Sequence, residues 1–182
     1  MDALALRRFW SAHFPDVPPL GWRLRAALPE RWLRIHSLPG GTRYAEGEAE
    51  RAEVLRRVNA CCDELFAGGG RVAIILPVWV DAAPRCAGDL ARLDPRVAWT
   101  EDDDGVARRL YAATFAWRRG ILDETFGDVA DDKLRAVLVG LADAAVVAPY
   151  DGGVDLFAAS AVERDRLAAR FAQWRSQRPD GL

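Results

Sequence analysis

The sequence predicts an α+β fold built on a mostly antiparallel sheet, and three observations carry the prediction. An acid-led amphipathic stretch, residues 48–67, is followed almost at once by an unbroken apolar run over 72–80, the pattern of a helix leading into a strand buried on both faces. Two further apolar runs, 97–100 and 106–117, flank Glu101-Asp-Asp-Asp-Gly105, whose Asp104-Gly105 pair suits the positive dihedrals of a hairpin turn. Ser160 with Glu163 three residues on is a capping box that opens a helix over 161–177. The 182 residues match one domain of the usual ~100–200, so a single globular unit over 1–182 is expected. With 51% apolar and 29% charged residues, disorder and collagen-like repetition are excluded.

Taken in order, Leu6, Phe9, Trp10 and His13 recur at helical spacing, so residues 3–14 form a short amphipathic helix that Pro15 and Pro18-Pro19 close. Residues 32–38 alternate as a strand would, with Trp32, Arg34 and His36 on one face and Leu33 and Ile35 on the other. A helix begun at Pro29 competes with that reading, and Pro39-Gly-Gly closes either one. In helix 48–67 the stripe is Leu55, Val58, Cys62, Leu65 and Phe66, with Gly68-Gly-Gly70 as the stop. Pro77 removes a ladder donor from strand 72–80, implying an edge, a bulge or the strand's end there. Residues 81–95 read as a surface connection with one helical turn around Leu90. A helix is expected over 120–130 from Ile121, Leu122, Phe126 and Val129. Residues 134–147 mix a helical stripe (Leu134, Val137, Leu138, Leu141) with strand formers, and pattern alone leaves both open. Pro149-Tyr-Asp-Gly-Gly153 is a turn, leading into a strand at 154–157. Helices 48–67 and 161–177 are expected to cover one face of the sheet.

Formal charge is −2, which gives no overall field to gather nucleic acid or an anionic membrane, and neither is an expected partner. No run approaches the ~18 apolar residues of a bilayer span, and the start of the chain lacks the basic-then-apolar order of a secretory signal. A cytoplasmic protein is expected. Cys61, Cys62 and Cys86, odd in number and two of them adjacent, suit neither a disulfide framework nor a zinc site and read as reduced thiols. Lys133 is the only lysine; with abundant Ala, that is the codon usage of a GC-rich bacterial genome.

The signatures of nucleophile elbows, phosphate loops and dinucleotide folds are missing, so no cofactor is expected. Glu101-Asp-Asp-Asp-Gly105 has the acidity of a calcium loop, but Thr100 and Tyr111 occupy its first and last ligand positions, and it reads as a solvated hairpin tip. His13 reads as a packed imidazole with one hydrogen bond. Around His36 an alternative exists: with Arg34 on the same face and Arg43 returning nearby, an imidazole and two guanidiniums can bind a phosphate or carboxylate, His36 acting as acid or base. The commoner arrangement has His36 and Ser37 bonding backbone while Arg34 pairs with a surface carboxylate. Asp151 and Asp155 offer a paired-carboxylate site, or else Asp151 accepts N–H bonds across its own turn and Asp155 ties its strand to an arginine. Of the seven tryptophans, Trp10 and Trp174 lie on helix stripes, whereas Trp79 and Trp117, at strand ends, are expected half exposed.

Several stretches together carry a family resemblance: Arg31-Trp-Leu-Arg-Ile-His-Ser-Leu-Pro39 with Arg43-Tyr-Ala45, Glu53-Val-Leu-Arg-Arg-Val-Asn59, and Pro149-Tyr-Asp-Gly-Gly-Val-Asp155 followed by Glu163-Arg-Asp165. The chain resembles an uncharacterised bacterial group, domain-of-unknown-function family 3885, over most of its length. The turn departs from the Asp-Arg-Gly version common in that family, so the arginine it carries there is missing here. The resemblance implies that residues 136–158 are a three-stranded meander, and it brings no established activity or catalytic residue.

These observations favour a non-enzymatic protein-binding module, an immunity-type or regulatory partner, whose contact surface uses Trp32, Arg34, His36, Tyr44, Trp79, Trp117 and Tyr150. The alternative is a small hydrolase or phosphoesterase-like enzyme using His36 with Arg34 and Arg43, joined by Asp151 or Asp155. Another protein is the expected partner; the oligomeric state is not legible.

Overall fold

The computed structural model describes residues 1–66, 70–84, 86 and 88–176. Its centre is one seven-stranded antiparallel sheet of β1 (Trp32–His36), β2 (Arg71–Trp79), β3 (Arg96–Asp103), β4 (Val106–Ala116), β5 (Val137–Gly140), β6 (Val146–Tyr150) and β7 (Gly153–Phe157), in the order β1-β7-β6-β5-β2-β4-β3. The residues that pattern left ambiguous are therefore strands, because β5, β6 and β7 sit inside the sheet where both faces are buried and β-branched side chains pack best. Asp104 and Gly105 both take positive φ, 53° and 81°, as the β3–β4 hairpin requires.

Among the described residues six α-helices pack on this sheet: α1 (Ala3–His13), α2 (Gly21–Ala27), α3 (Glu48–Leu65), α4 (Gly88–Leu93), α5 (Asp123–Ala130) and α6 (Ala161–Arg170). Val58 and Cys62 of α3 and Leu167 of α6 join Val72, Ile74, Leu138 and Leu156 in one core, so these two helices share a face of the sheet as expected. The opposite face is covered too. Leu6 and Trp10 of α1, with Phe14 and with Leu24 of α2, bury Ala73, Ile75, Val137, Val139 and Val146. α2 has no counterpart in the sequence reading, since its seven residues are too short to display a stripe and open without a side-chain cap. Gly21 lets it approach closely: a Cβ there would lie 3.3 Å from that of Ala148 on β6.

The helix expected over 161–177 is shorter. It ends at Arg170, a 3-10 turn carries Ala172–Trp174, and Arg175 bridges to Ile35 on β1. The Ser160 hydroxyl caps it by accepting from Glu163 N–H at 3.2 Å. Residues 68 and 69 of the expected glycine stop, and 177 and 179 at the expected helix end, lie outside the described residues. Pro29 begins a 3-10 turn, Pro29–Arg31, and the chain is extended from Trp32 onward.

One irregularity of the sheet positions the site. β2 pairs with β4 along all nine residues but with β5 only from Val72 to Ile75. Arg71 C=O accepts from Leu141 N–H on the β5 side, and backbone groups of every second residue point the same way, so those of Pro77 face that side beyond the end of β5. The residue without an N–H stands where, among the described residues, no strand offers an acceptor. A notch results, floored by Pro77, on the face that carries α2.

Candidate functional site

Strand alternation puts Trp32, Arg34 and His36 of β1, Asp155 of β7 and Tyr150 of β6 on the α1/α2 face, while Leu33, Ile35, Val154 and Leu156 enter the other core. Asp155 is buried. Arg34 grips it with both ends of its fork, Nε to Oδ1 at 2.8 Å and Nη2 to Oδ2 at 3.0 Å, and Trp32 Nε1 donates to Oδ1 at 2.9 Å. The same guanidinium lies over the Tyr150 ring, 4.7 Å from its centroid, and near Trp32 at 5.5 Å. Burial raises the Tyr150 phenol to about 12, with Arg34 opposing the rise and Asp155 and Asp151 adding to it. The phenol is neutral at physiological pH.

Asp151, also buried, is held from the other direction. Arg43 Nε donates to it at 2.5 Å and the Tyr44 hydroxyl at 3.0 Å, which ties the loop before α3 to the β6–β7 turn. The expected N–H bonds across its own turn are replaced by these side-chain donors. The Asp151 hydrogen bond holds the Tyr44 phenol protonated, raising its pKa, and raises that of Arg43 as well. Asp155 ties its strand to an arginine as one sequence reading anticipated, although the pair is buried and not a surface contact. The two carboxylates thus belong to separate ion pairs, and both arginines assigned to substrate by the hydrolytic alternative hold a carboxylate. His36 lies half-buried with its ring against Gly41, where an added Cβ would come within 3.2 Å. Burial first, then Arg34 and Arg57, lowers its pKa, which keeps the imidazole neutral. His13 packs its ring on Phe9, centroids 4.3 Å apart, and its Nδ1 makes a 2.8 Å hydrogen bond with Phe9 O, as expected, although the residue is exposed and outside the core.

Beside the Arg34–Tyr150 stack opens a pocket of about 260 Å³, lined also by Trp22 and Arg25 of α2, by Pro77 and by Arg135. Trp22, Pro77 and Arg135 line as well a wider depression of about 580 Å³ that reaches Trp79, Arg108 and Lys133, so the two are one continuous groove over the notch. Arg108, opposite Trp79 in the β2–β4 register, lies between two exposed indoles, 4.6 Å from the Trp79 ring and 5.5 Å from that of Trp22. Its Nε is buried and makes no hydrogen bond among the described residues; the nearest carboxylate oxygen, of Asp103, is 3.8 Å away and Asp103 is chiefly held by Arg23 at 2.5 Å. Arg25 lies over Trp32 at 5.7 Å and has no carboxylate at ion-pair distance among the described residues.

Of the residues put forward from sequence, Arg34, Tyr150 and Trp79 line this groove, as do Asp151 and Asp155. Trp32 adjoins it through Asp155 and Arg25, and Tyr44, half exposed, adjoins it through Asp151. His36 shares the face without lining the groove. Trp117 is a correction. It is buried on the other face against Phe66 and Phe126, and its Nε1 donates to Asp63 at 2.8 Å, because strand β4 ends one residue earlier and the ring turns under α3. Sequence reasoning missed Trp22, Arg25, Arg108 and Arg135. The signal for the first two was the Trp-x-x-Arg spacing after Pro19, which places both on one side of a helix.

A family model for a domain of unknown function, DUF3885, matches residues 20–179. The chain belongs to this family. No curated protein and no solved structure matches it. The stretch matched in this DUF3885 chain contains the whole sheet and every groove residue, and α1 precedes it. Among the described residues no helix is long and apolar enough to cross a membrane.

Proposed function

We propose that this protein is a non-enzymatic protein-binding module, an immunity-type or regulatory partner, and that the groove over the notch is its contact surface. The observation that carries the reading is the Trp22–Arg108–Trp79 arrangement: two large indoles left exposed around a guanidinium that lacks a full set of acceptors. Tryptophan and arginine are the side chains that concentrate binding energy at protein interfaces, and a fork short of one acceptor gains on meeting it. A hydrolytic role draws less support, since a neutral His36 beside arginines already bound to carboxylates has no electrophilic partner to work with. The reading takes the protein as cytoplasmic, in keeping with thiols at Cys61, Cys62 and Cys86 that are unpaired.

The test is site-resolved capture. A benzophenone side chain installed at position 79, and in a second sample at exposed position 162 on α6, is photolysed in the producing cell. The expected result is a discrete adduct from position 79 that position 162 does not yield, and the captured protein, once purified, loses at least tenfold in affinity for Trp79→Ala. Equal capture at both positions, or a captured protein indifferent to Trp79→Ala, overturns the proposal.

A further inference from the structure

The groove also states what kind of partner it fits. Five basic and three acidic side chains are among the described residues that line it, on a chain whose formal charge is −2. Among the described residues, positive charge is thus in excess where the exposed indoles of Trp22 and Trp79 stand beside a cleft. Not all of it is available. Arg34 is committed to Asp155, and Lys133 leans on Asp131 at 2.7 Å. Arg25 has no carboxylate at ion-pair distance among the described residues, Arg108 has an Nε without an acceptor, and Arg135 pairs with Asp132 where both are about half exposed. An exposed pair of that kind contributes little and exchanges readily for a better acceptor.

We infer that the groove takes an extended acidic segment of a partner protein, with carboxylates on Arg25 and Arg135 and an apolar or aromatic side chain of the segment against Trp79. This rests on the binding-module reading and adds the chemical class of the partner. Complementary charge is the warrant: separated guanidiniums select separated carboxylates, and the exposed indole faces reward an apolar side chain laid against them. A single-stranded nucleic acid also combines negative charge with stacking, but it carries a phosphate at every nucleotide, and half-exposed Asp132 in the same groove opposes an unbroken run of negative charge. A peptide spaces its carboxylates and brings backbone N–H groups that can face Asp132.

The indole N–H resonances of the seven tryptophans give a readout for each place in the fold. The isotope-labelled full chain is titrated at low salt with three probes: a twelve-residue peptide alternating glutamate with phenylalanine and serine, the same peptide with lysine for glutamate, and a twelve-nucleotide single-stranded DNA. The expected outcome is saturable movement of the Trp22 and Trp79 signals with the glutamate peptide only, while those of buried Trp10 and Trp117 stay in place. Arg25→Gln and Arg135→Gln each weaken the binding at least threefold, and Arg7→Gln on α1 leaves it unchanged. Trp22 and Trp79 signals indifferent to the glutamate peptide, equal binding of the lysine peptide, or tighter binding of the DNA each overturn the inference. A partner captured at position 79 that docks through a segment without acidic residues overturns it too while leaving the module reading intact.

Discussion

His36 shows at the scale of one side chain how placement decides chemistry. Its position on a strand beside Arg34 was legible from the alternation of residues 32–36, and that alternation is what the structure has. The neighbours that set its ionisation were not, because Arg57 arrives from α3 and bonds His36 C=O at 2.9 Å, a contact 21 residues away along the chain. Burial and the two guanidiniums hold the imidazole below its ordinary 6.5. An unfolded chain therefore takes up a proton on acidification before the native one does. The stabilisation that comes with the neutral ring is complete above pH 6.5 and is lost as the pH falls through the lower native value. Urea unfolding at pH 7.5 and pH 5 should find His36→Gln gaining on the natural protein at the lower pH; a gap equal at both would show that the imidazole titrates alike in both states.

At the scale of elements, the turn joining β6 to β7 was read from Pro149-Tyr-Asp-Gly-Gly153, and its two glycines are not equivalent. A Cβ on Gly153 would lie 2.3 Å from Ile35 O and 2.7 Å from the Tyr150 hydroxyl oxygen, so β1 and β7 can pair there only if that position is bare. At Gly152 the nearest atom, on the Tyr150 ring, is 3.1 Å away. Gly153→Ala should cost roughly 3 kcal/mol by forcing two paired strands apart, against under about 1 kcal/mol for Gly152→Ala. Denaturant midpoints for the two variants decide it, and equal losses would mean that β1 shifts freely. The β3–β4 hairpin and α3 were also legible, since turn chemistry and a long stripe are local signals. α2 and the C-terminal 3-10 turn were not, because what fixes them is packing against the sheet and not their own pattern.

For the molecule as a whole, composition bounded the class but not the arrangement of charge. A formal −2 hides a basic groove, because the pairing that places Arg25, Arg108 and Arg135 side by side joins α2, β4 and the segment before β5. The α+β architecture was legible; that helices cover both faces was not, since the sequence of α1 does not say which face it meets. α1 precedes the family match, yet Trp10 on it is buried and its Nε1 donates to Val17 O at 2.7 Å. Trp10→Ala should therefore lower stability by about 3–5 kcal/mol in urea unfolding; a loss under 1 kcal/mol would mean that the helix is an appendage to a fold complete without it. The shortness of β5 has a mechanical corollary. Within the sheet its four residues alone join the β1-β7-β6 and β2-β4-β3 halves, with helices packed across both, and toward β6 the register runs for just two pairs, Leu138 with Val147 and Val139 with Val146. Backbone hydrogen bonding across the sheet is thinnest at that seam, so a segment that fills the gap beyond it, touching α2 and β2 at once, should act as a rivet across the two halves and slow amide exchange in β5.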